Sequence, residues 1–216
     1  MDSLEQLKQR IETRFPGAEV AIVPNDSPSK QTSLLIPNNH AAAIAQYLRS
    51  EPDLQFDYLS NVTGVDWPDL VIKEKVKVTK TVDGVEKQIE ETVEKKRPGF
   101  LEVVYHLYSM SLKHGPVVLR MRTQDRSSAA QVPSLTPIWR GAEFQEREVF
   151  DLYGVHFSGH PDLRRLLMWE GFQDHPMRKD YTEPDDYEYE PTPHEDVLDK
   201  AKVHYPVAVV VVEGAK

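Results

Sequence analysis

At 216 residues, with 39% hydrophobic and 9% aromatic side chains, the chain can bury a real core in one domain, or in one domain plus an ordered extension. Lys and Arg total 26 against 35 Asp and Glu, a formal charge of −9, which opposes nucleic-acid binding because a phosphate backbone needs a basic face. Cysteine is absent, which excludes disulfides, catalytic thiols and cysteine-held iron–sulfur clusters.

Leu4, Leu7, Ile11 and Phe15 recur at helical spacing and Pro16-Gly17 stops the segment, so a helix is predicted there. A short strand is expected at Val20–Val23, and a second at Ser33–Ile36 after a loop rich in Ser, Pro and Asn. Pro37-Asn38-Asn39 suits the start of a helix over His40–Arg49, because an Asn side chain can accept from a free N–H of the first turn. Phe56–Val62 and Phe100–Ser109, rich in aromatic and β-branched residues, read as strands. Between them Lys73–Arg97 is densely charged and centred on Val82-Asp83-Gly84-Val85. An Asp-Gly pair between alternating residues predicts a protruding two-stranded ribbon, either a solvated insertion or an exposed edge that pairs with a neighbour.

Pro116–Thr123 alternates, with Val117, Leu119 and Met121 on one side and Val118, Arg120 and Arg122 on the other. His114-Gly115 reads as the turn that makes this strand the antiparallel neighbour of the one before. Thr136-Pro137 places a capping hydroxyl before a proline suited to a first turn, predicting a helix from about Ile138 to Tyr153, ended by Gly154. The fold class expected is α+β, a mixed, largely antiparallel sheet with packed helices. The expected organisation is an α/β domain over 1–133 with a charged hairpin near 73–97, a helix and contact segment over 134–181, and an extended tail over 182–216. Thr182–Pro206 has too little apolar surface to fold alone. Tyr187, Tyr189 and Tyr205 read as contacts along a partner, and Val207–Val212 as a short strand. That last run is far short of the ~20 residues of a spanning helix. The start, MDSLEQLKQR, lacks the apolar stretch of a secretory signal, so membrane association is expected only through other proteins.

The informative run begins Glu146-Arg147-Glu148-Val149-Phe150-Asp151-Leu152-Tyr153-Gly154. It passes through His160-Pro161-Asp162-Leu163-Arg164-Arg165 and ends at Pro176-Met177-Arg178-Lys179-Asp180-Tyr181. Opposed charges stand too close to bulky apolar residues for all of them to face water, and a buried charge must be paired and hydrogen-bonded. On a helix Arg147 lies four residues from both Glu143 and Asp151, so these three share a face and can pair. Arg164 and Arg165 are natural forks for carboxylates, and removing one member of a buried pair, as in Arg165→Ala, is expected to cost ~3–5 kcal/mol. These charges either fix the segment to its own domain or reach across to other chains. His156, His160, Asp162 and His175 invite a metal site, but no His-Glu-x-x-His pattern is present, and packing or interface hydrogen bonding is the preferred reading. Glu146 and Glu148 point away from each other on a helix, which disfavours a paired-carboxylate hydrolase, and no Gly-x-Ser-x-Gly elbow surrounds Ser158.

The run resembles the signature of the complex I 30-kDa subunit family: Glu-Arg-Glu, an aromatic-rich Asp-x-x-Gly, His-Pro-Asp-Leu-Arg-Arg, then Pro-x-Arg-Lys-Asp. Upstream, Gly64-Val65-Asp66-Trp67-Pro68 and Val103–Ser109 are also similar to the family, so the likeness spans roughly Phe56–Tyr181. Lys73–Arg97 departs from it, standing where the family has a shorter loop. The resemblance implies a compact α/β domain followed by an extended C-terminal arm. In the family that arm lies against subunits D and B of the peripheral arm, the first at the quinone site and the second carrying the terminal iron–sulfur cluster. It further implies a structural and assembly role in a proton-translocating NADH–quinone oxidoreductase, peripheral on the cytoplasmic face of the bacterial inner membrane. No catalytic residue, cofactor or metal is expected in this chain; FMN, iron–sulfur clusters and quinone would be carried by other subunits. The contact expected from it comprises Glu146, Arg147, Glu148, Asp151, His160, Asp162, Arg164, Arg165, Arg178, Lys179, Asp180 and Tyr181. A chain cut before Leu163 should then fold alone and lose its partners. The alternatives are the equivalent subunit of a membrane-bound hydrogenase or of another donor-dependent quinone or phenazine reductase, and, in a different class, an independent metal-dependent hydrolase. No Gly-rich turn of the dinucleotide-binding type is present.

Overall fold

Ser3 opens helix α1 (Leu4–Arg14) with a reciprocal cap: its hydroxyl accepts from Gln6 N at 3.2 Å, and the Gln6 side chain accepts from Ser3 N at 2.8 Å. The computed structural model describes residues 2–25, 27–82 and 85–182, with the backbone alone over 73–82 and 85–93. Two short strands, β1 (Ala21–Val23) and β2 (Ser33–Leu35), lead to α2 (Ala41–Ser50). Asn38 does not cap α2. Its Nδ2 donates to Arg122 O at 2.8 Å, tying the start of the helix to the sheet, and the N-cap residue His40 makes no side-chain bond.

Strand β3 (Tyr58–Trp67) runs farther than the aromatic run Phe56–Val62 suggests. Gly64, Val65, Asp66 and Trp67 interrupt the apolar alternation, yet they pair with Val103, Glu102, Leu101 and Phe100 of β6 (Phe100–Ser109). Between these strands, β4 (Leu70–Val82) and β5 (Val85–Arg97) form the separate two-stranded ribbon read from the Asp-Gly pair and its alternating flanks, with Leu70 opposite Arg97 and Val82 opposite Val85. The Asp83-Gly84 turn expected at its tip lies outside the described residues, as do the tail readings on Tyr187, Tyr189, Tyr205 and Val207–Val212. Strand β7 (His114–Arg122) is the antiparallel neighbour of β6. The turn between them lies at 110–113, because His114 already pairs with Ser109.

The main sheet runs β1-β2-β7-β6-β3, antiparallel except for the β2–β7 pair, which is the mixed, largely antiparallel arrangement expected. A small parallel pair, β8 (Gln131–Pro133) with β9 (His156–Ser158), brackets helix α3 (Ala142–Tyr153). Helix α3 starts after Gly141 and not at Ile138. Thr136 Oγ1 donates to Glu146 and Trp139 Nε1 donates to Phe56 O at 2.8 Å, so residues 136–141 stay in turns. At its other end Gly154 takes a left-handed conformation at φ 74°, which favours glycine.

One sheet face carries Leu34, Val62, Val103, Tyr105, Leu107, Leu119 and Met121, all buried in a single apolar cluster. All three helices add to that cluster: Leu7 and Ile11 from α1, Ile44 and Leu48 from α2, and Val149 from α3. Burying each such aliphatic side chain contributes roughly 1.5–3 kcal/mol. Val104 and Val118, on the other face, are buried outside the cluster. The sheet is therefore covered by helices on one side only among the described residues.

Candidate functional site

The signature segment folds around three buried carboxylates, each with its own set of donors. Glu146, on the inner face of α3, accepts from Tyr105 Oη at 3.0 Å, Ser134 Oγ at 2.5 Å, Leu135 N at 2.8 Å and Thr136 Oγ1 at 3.0 Å. Burial raises its pKa above the ordinary value, and the hydrogen bonds from Ser134, Leu135, Thr136 and Tyr105 only partly oppose this. No cation is paired with it among the described residues.

Asp151, one and a half turns later, is fully buried and meets a different environment. It accepts from Leu166 N at 3.0 Å, Leu167 N at 2.6 Å, Met168 N at 2.9 Å and Arg165 NH1 at 2.7 Å. Burial opposes its ionisation, but those backbone amides and the Arg165 guanidinium win and hold it below the usual carboxylate range. Arg147 joins the same loop, donating to Arg164 O at 3.1 Å and Arg165 O at 3.2 Å, with Asp162 3.7 Å away. It does not pair with Glu143 or Asp151, the helix neighbours read from spacing. Asp151 is already saturated by the loop, and Glu143 faces Arg140 at 4.0 Å.

Asp66, at the end of β3, is the third centre. Arg126 grips it twice, at 2.7 and 2.8 Å, and Lys179 N donates at 2.8 Å. Arg126 also reaches Asp180 at 2.8 Å, while Arg178 donates to Tyr153 O and to Arg126 O at 2.7 and 2.9 Å. Residues 162–180 are thus strapped across α3 and the β3 edge by Asp151 and Asp66. A cut before Leu163 would remove all four donors to Asp151 and the Lys179 amide from Asp66, which keeps both bonds from Arg126, so a chain cut there is expected to fold with a lowered denaturant midpoint.

The histidines serve the same strap. His160 Nε2 lies 3.0 Å from Glu143 O and His175 Nδ1 lies 2.9 Å from Asp151 O, while His156 packs edge-on against Phe150. Among the described residues no group of three or more His, Cys, Asp or Glu is placed to hold a metal ion. Gly154 shows how tightly the strap sits: a Cβ there would overlap the His175 ring and approach Arg178 NH2 at 2.8 Å. We expect Gly154→Ala to lose about 1–2 kcal/mol for the left-handed backbone and more for the displaced ring. Gly17→Ala, also at positive φ but with nothing within 4 Å, isolates the backbone cost. Equal shifts in denaturant midpoint for the two variants would show that the strap yields freely.

Of the other residues read as contacts, Glu148, Asp162, Arg164, Lys179 and Asp180 are exposed, and Tyr181 is half-buried with its ring 6.5 Å from that of Phe172. What the charge pattern missed is apolar. Phe144, Leu166, Leu167, Trp169 and Met177 are 58, 37, 58, 46 and 52% exposed along this one segment. Their signal was present as the run Leu166-Leu167-Met168-Trp169, which reads as core until Asp151 is seen capturing its backbone and turning the side chains outward. Among the described residues no helix is long and apolar enough to cross a membrane.

Comparison with known proteins agrees with the signature. The family described as "Respiratory-chain NADH dehydrogenase, 30 Kd subunit" matches residues 34–187. The C subunit of the NADH-quinone oxidoreductase of Caulobacter sp. (strain K31) is 35% identical over 84% of this chain and 69% of its own length. A corresponding C subunit from Rhizobium etli (strain CIAT 652), numbered 2 in that organism, is 37% identical over 68% of this chain, and only 62% of its own length is spanned. In three dimensions the chain resembles one in "Structure of the membrane-bound sulfane sulfur reductase (MBS), an archaeal respiratory membrane complex", with a TM-score of 0.53 and 19% identity over 97% of this chain and 95% of that one, a likeness of fold alone.

Proposed function

This chain belongs to the family of the respiratory-chain NADH dehydrogenase 30 Kd subunit, and from that premise we propose that it is the C-type subunit of a proton-translocating NADH–quinone oxidoreductase, a structural part with no reaction of its own. Its place is peripheral, on the cytoplasmic face of the membrane, against subunits B and D of the quinone module. The observation that carries this reading is the division of labour in the strap. The charges at Arg147, Asp151, Arg165 and Arg178 are satisfied within the chain, while Leu166, Leu167, Trp169 and Met177 face outward. A row of large exposed apolar side chains on a rigid, hydrogen-bonded support suits a protein interface. The exposed charges Glu148, Asp162, Arg164, Lys179 and Asp180 then form its polar rim, and Glu146, Asp151 and His160 act from behind by holding the support in shape. FMN, clusters and quinone belong to other subunits in this reading.

Leu167→Glu combined with Trp169→Glu places two charges where a dry contact is proposed. The variant chain should stay folded, with a thermal midpoint lowered only by the lost edge-on contact of Trp169 with Phe172, and should no longer co-purify with the flavin- and cluster-bearing subunits from native membranes. Recovery of a complete, active complex carrying the double variant would refute the interface. Co-purification of the wild-type chain with a hydrogenase or another electron-input module would favour the related complexes instead.

A further inference from the structure

The helix-free face of the sheet holds a concentration of positive charge in a chain of net −9. On that face Glu102 stands opposite Arg122, Val104 opposite Arg120, and Trp67 opposite Phe100. Glu102 is fully buried and accepts from Arg122 Nε at 2.6 Å, Arg120 NH1 at 3.0 Å and Trp67 Nε1 at 2.6 Å. Two guanidiniums on one carboxylate leave one positive charge uncompensated. Arg97 adds a second, 5.8 Å from the Trp67 ring and without a carboxylate partner among the described residues. Lys179 Nζ stands 5.8 Å from the same ring. Arg122 lies 4.6 Å from the Phe100 ring, and Phe100 and Trp67 are 6.1 Å apart, so cations flank a pair of neighbouring rings.

Val23, Trp67, Phe100 and the three arginines line a cleft of about 370 Å³. It crosses the sheet from β1 to β3, four inter-strand steps or about 19 Å, the reach of about six extended residues. The field extends to His106 on the same face, whose imidazole is held below its ordinary pKa by burial and then by Arg120. A compact inorganic anion would need several donors converging on one point. Here the inner arginines point their donors at Glu102 and the surplus charge is spread along the cleft. Carboxylates spaced along an extended chain match that spread, and the two rings offer apolar contact to their aliphatic stems.

We propose that this face docks an acidic, extended segment of another polypeptide, about six residues long with two or three carboxylates meeting Arg97, Lys179 and the Arg120–Arg122 pair. It is a second docking surface, electrostatic where the strap is apolar; it shares Lys179 with the strap's polar rim, and its test on the isolated chain is separate from that of the strap.

Hexaglutamate amide carrying a fluorescein label, titrated with the full chain and followed by anisotropy, tests it with the isolated protein. Binding is expected, weakening as salt screens the charges, with no binding of the equivalent hexalysine. Arg97→Glu together with Lys179→Glu should weaken binding at least tenfold and leave the thermal midpoint unchanged, since neither side chain holds a buried group. Three results would each overturn the proposal: no binding by the wild type, equal binding by the double variant, or displacement of the peptide by inorganic phosphate at matched concentration, which would mark a small-anion site.

Discussion

Asp151→Ala should lose about 3–5 kcal/mol of stability, the cost of breaking a buried charge network from one side. Three backbone N–H groups at Leu166, Leu167 and Met168 and the Arg165 guanidinium would all lose their acceptor at once. The loop they anchor should loosen with it, so limited proteolysis is expected to cut first within residues 162–181. The partner substitution is milder. Arg165→Ala leaves the three amides on Asp151 and the carboxylate still satisfied, so its loss should be nearer ~1.5–3 kcal/mol, the worth of a hydrogen bond to a charged group. An arginine inside an apolar run suggested the full cost of a broken buried pair for Arg165. The amides, invisible in the sequence, carry part of the load. Equal losses for the two variants would show that the amides contribute nothing.

Asp151 also sets an acid limit. Its folded pKa lies below the unfolded value of about 3.9, so its contribution is complete above that pH and is lost as pH falls through the folded value. Asp151→Asn should therefore flatten the stability profile below about pH 4.

Glu146→Ala is the second large effect, about 3–5 kcal/mol, because four donors from β6, the 134–136 turn and the backbone lose their common acceptor. The Leu135 amide cannot turn away, whereas the three hydroxyls can. Glu146→Gln keeps an acceptor in place and should cost only ~1–2 kcal/mol. The pH dependence carries the opposite sign to that of Asp151. With its folded pKa raised by burial, Glu146 binds its proton more tightly in the native state, so stability falls as pH rises from about 4.3 through the folded value. Denaturant midpoints across that window should decline for the wild type and decline less for Glu146→Gln. A variant with the same slope would mean that the carboxyl titrates as it does in the unfolded chain. An unshifted midpoint for Glu146→Ala would place those four donors elsewhere.

The two carboxylates sit five residues apart on one helix and differ chiefly in what surrounds them. Glu146 meets hydroxyls and one amide deep in the core, and Asp151 meets three amides and a guanidinium on the strap. That contrast explains why one is pushed up and the other down.

By itself the sequence determined what local spacing can encode. The period of Leu4, Leu7 and Ile11 specified α1, the alternation at Pro116–Thr123 specified a strand, and the Asp-Gly pair with alternating flanks specified a two-stranded ribbon. The ordered blocks from Gly64-Val65-Asp66-Trp67 to Arg178-Lys179-Asp180 were enough to mark the family. The same reading also held that the charges of residues 146–181 cannot all be solvated, and the burial of Glu146, Arg147 and Asp151 bears this out. Only the tertiary structure decided the partners. Asp151 finds its donors 14 to 17 residues downstream, Asp66 finds Arg126 60 residues away and Lys179 N 113 away, and Glu146 takes hydroxyls in place of a cation. Helical spacing offered Arg147 its neighbours at i±4, but a backbone amide carries no side-chain signal, and a loop that folds back supplies amides wherever the chain path brings them. The same folding-back turned Leu166, Leu167 and Trp169 outward, since their direction depends on which carboxylate captures their backbone and not on their own hydrophobicity.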